Sequence, residues 1–270
     1  VSEFREGRLD IVGAGGIYFN EFKYNKNLKL SPATTFFRFA FNIEGSDAYE
    51  LNPILTQDAF RQAFYFAIDR ETFSAEVRTP SLPTFGFLGP VYLSTEYSFV
   101  SYRGSLPGQE VLADLAPDTF GYDRTQAKTL FDEAYAAAVL AGDIQDGDMV
   151  SVEYKFYDVE TGWNFNGWIK NSVEAIFNEG ETTPKFELTL AGVSSAALDD
   201  AWENGHFEMT FGGWQSLDFD APAMLGQVYN SSNSLMLEGG FDTANAEVTA
   251  TLPNTKAALT SWTGTFAVEF

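Results

Sequence analysis

The chemistry open to this chain is bounded by its residue types. It has one histidine, His206, and no cysteine among 270 residues. That leaves no thiolate nucleophile, no disulfide framework and no cysteine-ligated metal or iron–sulfur cluster. A Ser-His-Asp triad or a histidine metal site would rest on His206 alone, which sits beside Gly205 ahead of a strand-like run, where packing accounts for it. Carboxylates are abundant. Asp218 with Asp220 or Glu153 offers the acid and base of a glycosidase, although nothing in their spacing demands that geometry. Asp143, Asp146 and Asp148 have a hint of calcium-loop spacing but lack its glycine placement and closing Glu, so they read as a solvated turn. Gly13-Ala14-Gly15-Gly16 completes no phosphate-binding pattern and reads as a turn. Phe211-Gly212-Gly213-Trp214-Gln215 is either backbone left open to close approach or a strand end with a bulge. From residue types alone, Asp218 is an ordinary turn acid and Trp214 an ordinary core aromatic.

The balance of 38 Asp+Glu against 16 Lys+Arg gives a net charge of −22. A chain this acidic repels phosphate backbones and anionic membrane surfaces, so nucleic acid is not an expected partner. No run of apolar residues is long enough to span a bilayer. With 26 Phe, 12 Tyr and 5 Trp, the chain has ample material for a large core, in one large domain or two modest ones.

The elements that would position these residues follow from periodicity. Phe4 to Val12 reads as a helix end, a Gly7 stop and a short apolar strand. From Thr34 to Asn42 the residues alternate, with Phe37, Phe39 and Phe41 on one side and Phe36, Arg38 and Ala40 on the other, a strand with at least one buried face. From Asp58 the apolar spacing lengthens to Phe60, Phe64, Ala67 and Ile68, which suits a helix, and Asp69 with Thr72 reads as the N-cap of a second. Residues 80 to 108 hold four prolines among glycines and aromatics and read as a long irregular segment, with some aromatics lining or covering a cleft. Asp123 caps a helix with Ala127, Leu130, Phe131 and Ala134 inward. Val150, Val152, Tyr154 and Phe156 form a strand, Trp168 to Phe177 a helix ending at Gly180, and Phe186, Leu188 and Leu190 a strand. A short helix at Leu198 to Trp202 is stopped by Gly205, and Phe207, Met209 and Phe211 form the next strand. The order αβαβαβ predicts an α/β fold with a mixed sheet.

Several of these segments resemble the family 5 solute-binding proteins, the oligopeptide- and dipeptide-binding components of ABC importers. The most specific is Thr56-Gln57-Asp58-Ala59-Phe60-Arg61-Gln62-Ala63-Phe64-Tyr65-Phe66-Ala67-Ile68-Asp69-Arg70. Phe4-Arg5-Glu6-Gly7-Arg8-Leu9-Asp10 resembles the element by which the family's chain enters its C-terminal lobe, and Gly121-Tyr122-Asp123-Arg124-Thr125-Gln126-Ala127 resembles its capped helix. Asn204 to Trp214 and Asp218-Phe219-Asp220-Ala221-Pro222 resemble its strand–Trp–Asp region. There are departures: Glu208 stands where Asp is usual, Leu217 lengthens the Trp-to-Asp spacing by one, and Pro222 follows Asp220 by two positions.

The resemblance implies the mixed-sheet lobe of a two-lobed periplasmic-binding-protein-like fold (class II, family 5). Residues 1–12 would be an entry strand or hinge from a first lobe, and 13–270 a C-terminal ligand-binding lobe that drifts from the pattern after Phe241-Asp242 and stops before returning to the first lobe. It implies a non-enzymatic, monomeric, extracytoplasmic protein, periplasmic or lipid-anchored, that closes on a ligand and delivers it to ABC transporter permease subunits. No cofactor or metal is expected. The implied ligand is an oligopeptide lying extended along Gly212, Gly213 and Gln215, with Trp214 along the cleft and Asp218 pairing with the ligand's α-ammonium group, or Asp220 if the inserted residue shifts the register. A buried ammonium needs such a carboxylate. In some relatives this strand and the preceding helix supply arginines to the peptide carboxylate, but Phe211 and Trp202 stand there here, so those positions are not expected to read one. Arg61, Asp69 and Arg70 are expected to be structural. A same-fold protein for an oligosaccharide, opine or metal chelate, the carboxylate-pair hydrolase, and an adhesin or sensor that has lost transport are the alternatives.

Overall fold

The computed structural model describes residues 1–14, 17–30, 33–43, 49–94, 99–215, 219–221, 223–224, 247–253 and 261–267, the last two by backbone alone. Asp218, Pro222, Phe241-Asp242, and Gly15 and Gly16 of the glycine run lie outside these residues. The helices are α1 (Ser2–Arg5), α2 (Ile17–Phe22), α3 (Asp58–Ala67), α4 (Arg70–Glu76), α5 (Leu106–Leu112), α6 (Arg124–Ala141), α7 (Glu160–Phe177) and α8 (Ser195–Asn204). The strands are β1 (Phe36–Phe41), β2 (Val150–Tyr157), β3 (Phe186–Val193), β4 (Met209–Trp214), β5 (Glu247–Pro253) and β6 (Ser261–Ala267).

Strands β1 to β4 form a mixed sheet in the order β1-β4-β2-β3. β2 runs parallel to both β3 and β4, whereas β1 lies antiparallel to β4 in a register from Phe36↔Trp214 to Phe41↔Met209. The expected order α6-β2-α7-β3-α8-β4 is present throughout. β5 and β6 pair as a separate antiparallel hairpin. The alternation of Val248, Ala250 and Leu252 with Thr249 and Thr251 was the available signal for it.

The main core lies on one face of the sheet. Val150, Val152, Tyr154 and Phe156 of β2 are all buried there with Phe186 and Leu188 of β3. Against them pack Phe60, Ala63, Phe64 and Ala67 of α3, Ala127, Phe131, Ala134 and Ala138 of α6, and Ile169, Val173, Ile176 and Phe177 of α7, each set one helical face. Rings do most of the filling: Phe131 stacks on Phe177 at 4.4 Å and Phe177 meets Phe186 edge-on at 5.0 Å. The caps sit where the sequence places them. Asp69 accepts from the Thr72 amide (3.0 Å) and hydroxyl (2.7 Å), Asp123 accepts from the Gln126 amide (2.9 Å), and α8 ends at Gly205 with φ +66°.

Two expectations need correction. Leu9 and Ile11 are exposed and form no strand, because no strand edge among the described residues lies beside them to supply ladder hydrogen bonds. The irregular segment also ends earlier than 108: Ser105 accepts from the Gly108 amide and opens α5, with Pro107 in its first turn, where a missing amide costs nothing. The aspartates at 143, 146 and 148 do form an exposed turn, in which Asp148 accepts from the Gln145 amide at 2.9 Å.

Glu208, the longer acid at the head of β4, has a structural reason. Its two oxygens accept from the Asn52 amide (2.9 Å) and the Glu153 amide (2.5 Å), tying the segment before α3 to β2. Burial is the main influence on its carboxyl and raises it above the ordinary 4.5, with the two amides opposing. Because the folded value is the higher one, this group's contribution is full below the unfolded value and is lost as pH rises through the folded value. Urea unfolding of wild type and Glu208→Gln across the weakly acidic range should show the stability difference drifting against wild type as pH rises, then levelling. A difference independent of pH would contradict the assignment.

Candidate ligand-binding groove

β1 has two working faces. Phe39 and Phe41 point into the main core, Phe39 meeting Phe64 at 5.3 Å and Phe41 meeting Phe64 at 5.2 Å. On the other face Phe36 joins Trp214, Leu88, Tyr92, Ala221 and Met224 in a second, smaller core. That core moors the irregular segment against the sheet, helped by the Tyr92 hydroxyl donating to the Thr34 carbonyl at 2.8 Å. Arg103 stiffens the same segment: its guanidinium donates to the carbonyls of Leu88 (2.8 Å) and Phe85 and stacks over the Phe85 ring.

Between β1, α3, α4 and the stretch from Pro80 to Val91 lies a groove of about 870 Å³. Phe37, Phe39 and Phe211 contribute apolar floor, and Leu82, Pro83 and Phe85 contribute wall. Its charged lining residues are four arginines, Arg38, Arg61, Arg70 and Arg78, with no carboxylate among the lining residues. In a chain of net charge −22 this is an inversion of local sign.

The four differ in how they are held. Arg61 ion-pairs with Asp58 and donates to the Leu55 carbonyl, closing the start of α3 as a structural residue. Arg70 donates to the carbonyls of Ile68 and Tyr65, both at 3.1 Å, lies 4.4 Å over the Tyr65 ring, and is pushed down to about 10 by burial. Arg38 stacks 3.6 Å over Trp214. Arg78, just past α4, stacks 3.9 Å over Phe37 and has Phe211 and Phe165 within 5.5 Å. Burial lowers its guanidinium, its Nε is buried, and it has no hydrogen-bond or carboxylate partner among the described residues.

Of the ligand-binding residues expected from sequence, Gly212, Gly213, Trp214, Gln215 and Asp220 are not among the groove's lining residues, and Asp218 lies outside the described residues. Trp214 is buried, wedged between Arg38 and the edges of Phe36 and Phe87, with its indole N–H unpartnered among the described residues. Gln215 is exposed and accepts from the Thr35 hydroxyl at 2.8 Å. Gly212 is a close approach, but a side chain of this protein makes it: a Cβ there would overlap the Trp202 ring, whose N–H donates to Thr210 at 3.0 Å. Gly213 fits against Phe37 and Thr35. Asp220 uses its carboxylate to cap the following turn, accepting from the Ala223 amide at 3.1 Å. His206 stacks on Tyr49, with ring centroids 6.0 Å apart. Glu153 accepts from Tyr49 and pairs with Lys155. The β2–β4 ladder stops at Lys155↔Thr210 while β1 pairs with β4 as far as Trp214. Among the described residues, therefore, no strand lies beside that edge of Phe211–Trp214.

Sequence reasoning passed over Arg78 and Phe37. Their signal was weak: an arginine closing a helix and one more phenylalanine in an alternating run.

The family model described as bacterial extracellular solute-binding proteins, family 5 middle, matches residues 1–236. None of the curated proteins matches the chain. Among solved structures, the pheromone receptor PrgZ, described with its mode of peptide binding, is similar at a TM-score of 0.62 and 18% identity, over 89% of this chain and 41% of its own. Listeria monocytogenes OppA bound to peptide gives 0.63 and 13%, over 88% and 42%. The substrate-binding domain of an oligopeptide ABC transporter from Bacillus anthracis gives 0.61 and 15%, over 89% and 42%. The chain thus spans about two fifths of the length of these structures and shares their fold.

The Trp202–Gly212 fit gives a test of the groove's support. Gly212→Ala should destabilise the protein by about 1–3 kcal/mol through overpacking, and Trp202→Leu in the same chain should make the double loss smaller than the sum. Strictly additive losses in urea unfolding would contradict this packing.

Proposed function

The chain belongs to the bacterial extracellular solute-binding proteins of family 5, and from that premise we propose that it is the larger part of the ligand-binding lobe of a protein that captures oligopeptides outside the cytoplasm and hands them to an ABC transporter permease. The observation that carries the reading is the groove. Its volume, about 870 Å³, suits a small ligand, since such sites run to roughly 300–1,000 Å³. Its floor is aromatic, and next to it the edge of Phe211–Trp214 has no strand beside it among the described residues. An extended peptide binds well to such a place, pairing main chain to main chain while side chains find apolar pockets. Four arginines in the lining weigh against a neutral sugar as ligand.

In this reading residues 1–12 lead in from a first lobe, 13–270 form the second, and the lobes close about a hinge over the ligand. Asp218, four residues past Trp214 in the sequence, receives the peptide's α-ammonium group, with Trp214 and Gln215 framing the approach. The protein acts by binding and release rather than by catalysis; Glu153 and Asp220 are committed to Lys155, Tyr49 and a turn amide.

The test uses the full-length protein and matched peptides with free or N-acetylated termini. Asp218→Ala should weaken the free-amine peptide by about 2–5 kcal/mol, the usual cost of stranding a buried charge, and the acetylated peptide much less. Equal losses measured by calorimetry would remove the ammonium role.

A further inference from the structure

We propose that the outer edge of β3 is a strand-pairing surface for a second copy of this chain, and that three side chains of α7, Lys170, Glu174 and Asn178, hold it closed. β3 ends the sheet order, so among the described residues only β2 pairs with it. A bare edge presents N–H and C=O groups that another strand can take up, and proteins that stay apart have to blunt it. The direction of these groups is fixed by the ladder. The Lys185 carbonyl accepts from the Val150 amide and the Val193 carbonyl from the Asp158 amide, both at 2.8 Å, so the odd-numbered positions of β3 face β2. The even-numbered positions Phe186, Leu188, Leu190 and Gly192 therefore turn their backbone groups outward.

α7 meets the first two of them with side chains. At Phe186, Asn178 serves both groups: its Oδ1 accepts from the amide at 3.0 Å and its Nδ2 donates to the carbonyl at 2.9 Å. The same Oδ1 also accepts from the Lys185 amide at 2.9 Å. At Leu188 the two roles are split. Glu174 accepts from the amide at 2.8 Å, Lys170 donates to the carbonyl at 2.7 Å, and the two side chains pair with each other at 2.7 Å. Together they imitate the strand that is missing. Residues 170, 174 and 178 are four apart and follow one another along one side of the helix. Four residues of helix advance about 6 Å, close to the roughly 6.7 Å that two residues of strand advance, so successive side chains meet successive outward positions. The guard stops there. Among the described residues no hydrogen-bond partner meets the outward groups of Leu190 or Gly192, a remnant short enough to stay unpaired. A second copy offers the same edge, and two such edges related by a two-fold axis pair antiparallel. Net charge of −22 opposes that approach at low salt, but screening removes long-range repulsion. The guard acts at contact and persists when salt is high.

The test is sedimentation velocity of the full-length protein in about 0.5 M salt, where charge is screened to a few Å, across about a hundredfold range of concentration. Wild type should sediment as one monomeric species throughout. The double variant Glu174→Ala/Asn178→Ala, which bares Phe186 and Leu188, should keep the far-UV circular dichroism of wild type and shift to dimers or larger species as concentration rises. Glu174→Gln keeps an acceptor for the Leu188 amide and should sediment as wild type does. A double variant that is folded and monomeric at every concentration overturns the proposal, as does a wild type that self-associates. Backbone hydrogen exchange of wild type decides the matter if the double variant does not fold. The amides of Phe186 and Leu188 should exchange at least about tenfold more slowly than those of Leu190 and Gly192; equal rates at all four overturn the assignment.

Discussion

The register of β1 on β4 is the constraint on which the rest of this lobe depends. Side chains alternate across a strand, so pairing Phe36 with Trp214 and Phe41 with Met209 sends Phe39 and Phe41 into the main core and Phe36 and Arg38 to the opposite face. A slip by one residue would exchange the faces and bury Arg38 among α3 and α7. The sheet edge thus holds two cores of unequal size. The larger is closed by three helices, while the smaller depends on Trp214 and Phe36 to gather an irregular segment. The groove is the space left where the two meet around β1.

Electrostatics sets the groove apart from the remainder of the molecule. An acidic exterior keeps the chain apart from other anions, yet the lining residues carry only positive formal charge. Low-dielectric aromatic walls strengthen that local field. Two of the cations have their donors taken up, Arg70 by local carbonyls and Arg61 by Asp58 and a carbonyl, and so define shape. Arg78 is held by ring faces alone, which orient a guanidinium without satisfying its donors.

Much of the architecture was legible in the sequence, because it rests on local rules. Alternation identified β1, β2, β3 and β4, apolar spacing identified α3 and α6, and Asp69, Asp123 and Gly205 marked helix ends with their own side chains or backbone freedom. What was not legible depends on the tertiary path. Leu9 to Val12 has strand composition but no edge to join among the described residues. Gly212 invited a ligand's approach, and Trp202, ten residues earlier in the sequence, fills the space. The search for a cation looked at positions 202 and 211, where the residues are Trp and Phe. The structure brings a guanidinium to the Phe211 ring from α4, a placement that no spacing along β4 or α8 could reveal.

The most direct test of the central claim is native mass spectrometry of the full-length protein, purified without added ligand and compared with its denatured mass. The account predicts a heterogeneous set of bound masses that fragment as peptides. A single non-peptide mass, or a protein that stays empty in the presence of a peptide pool, would contradict it.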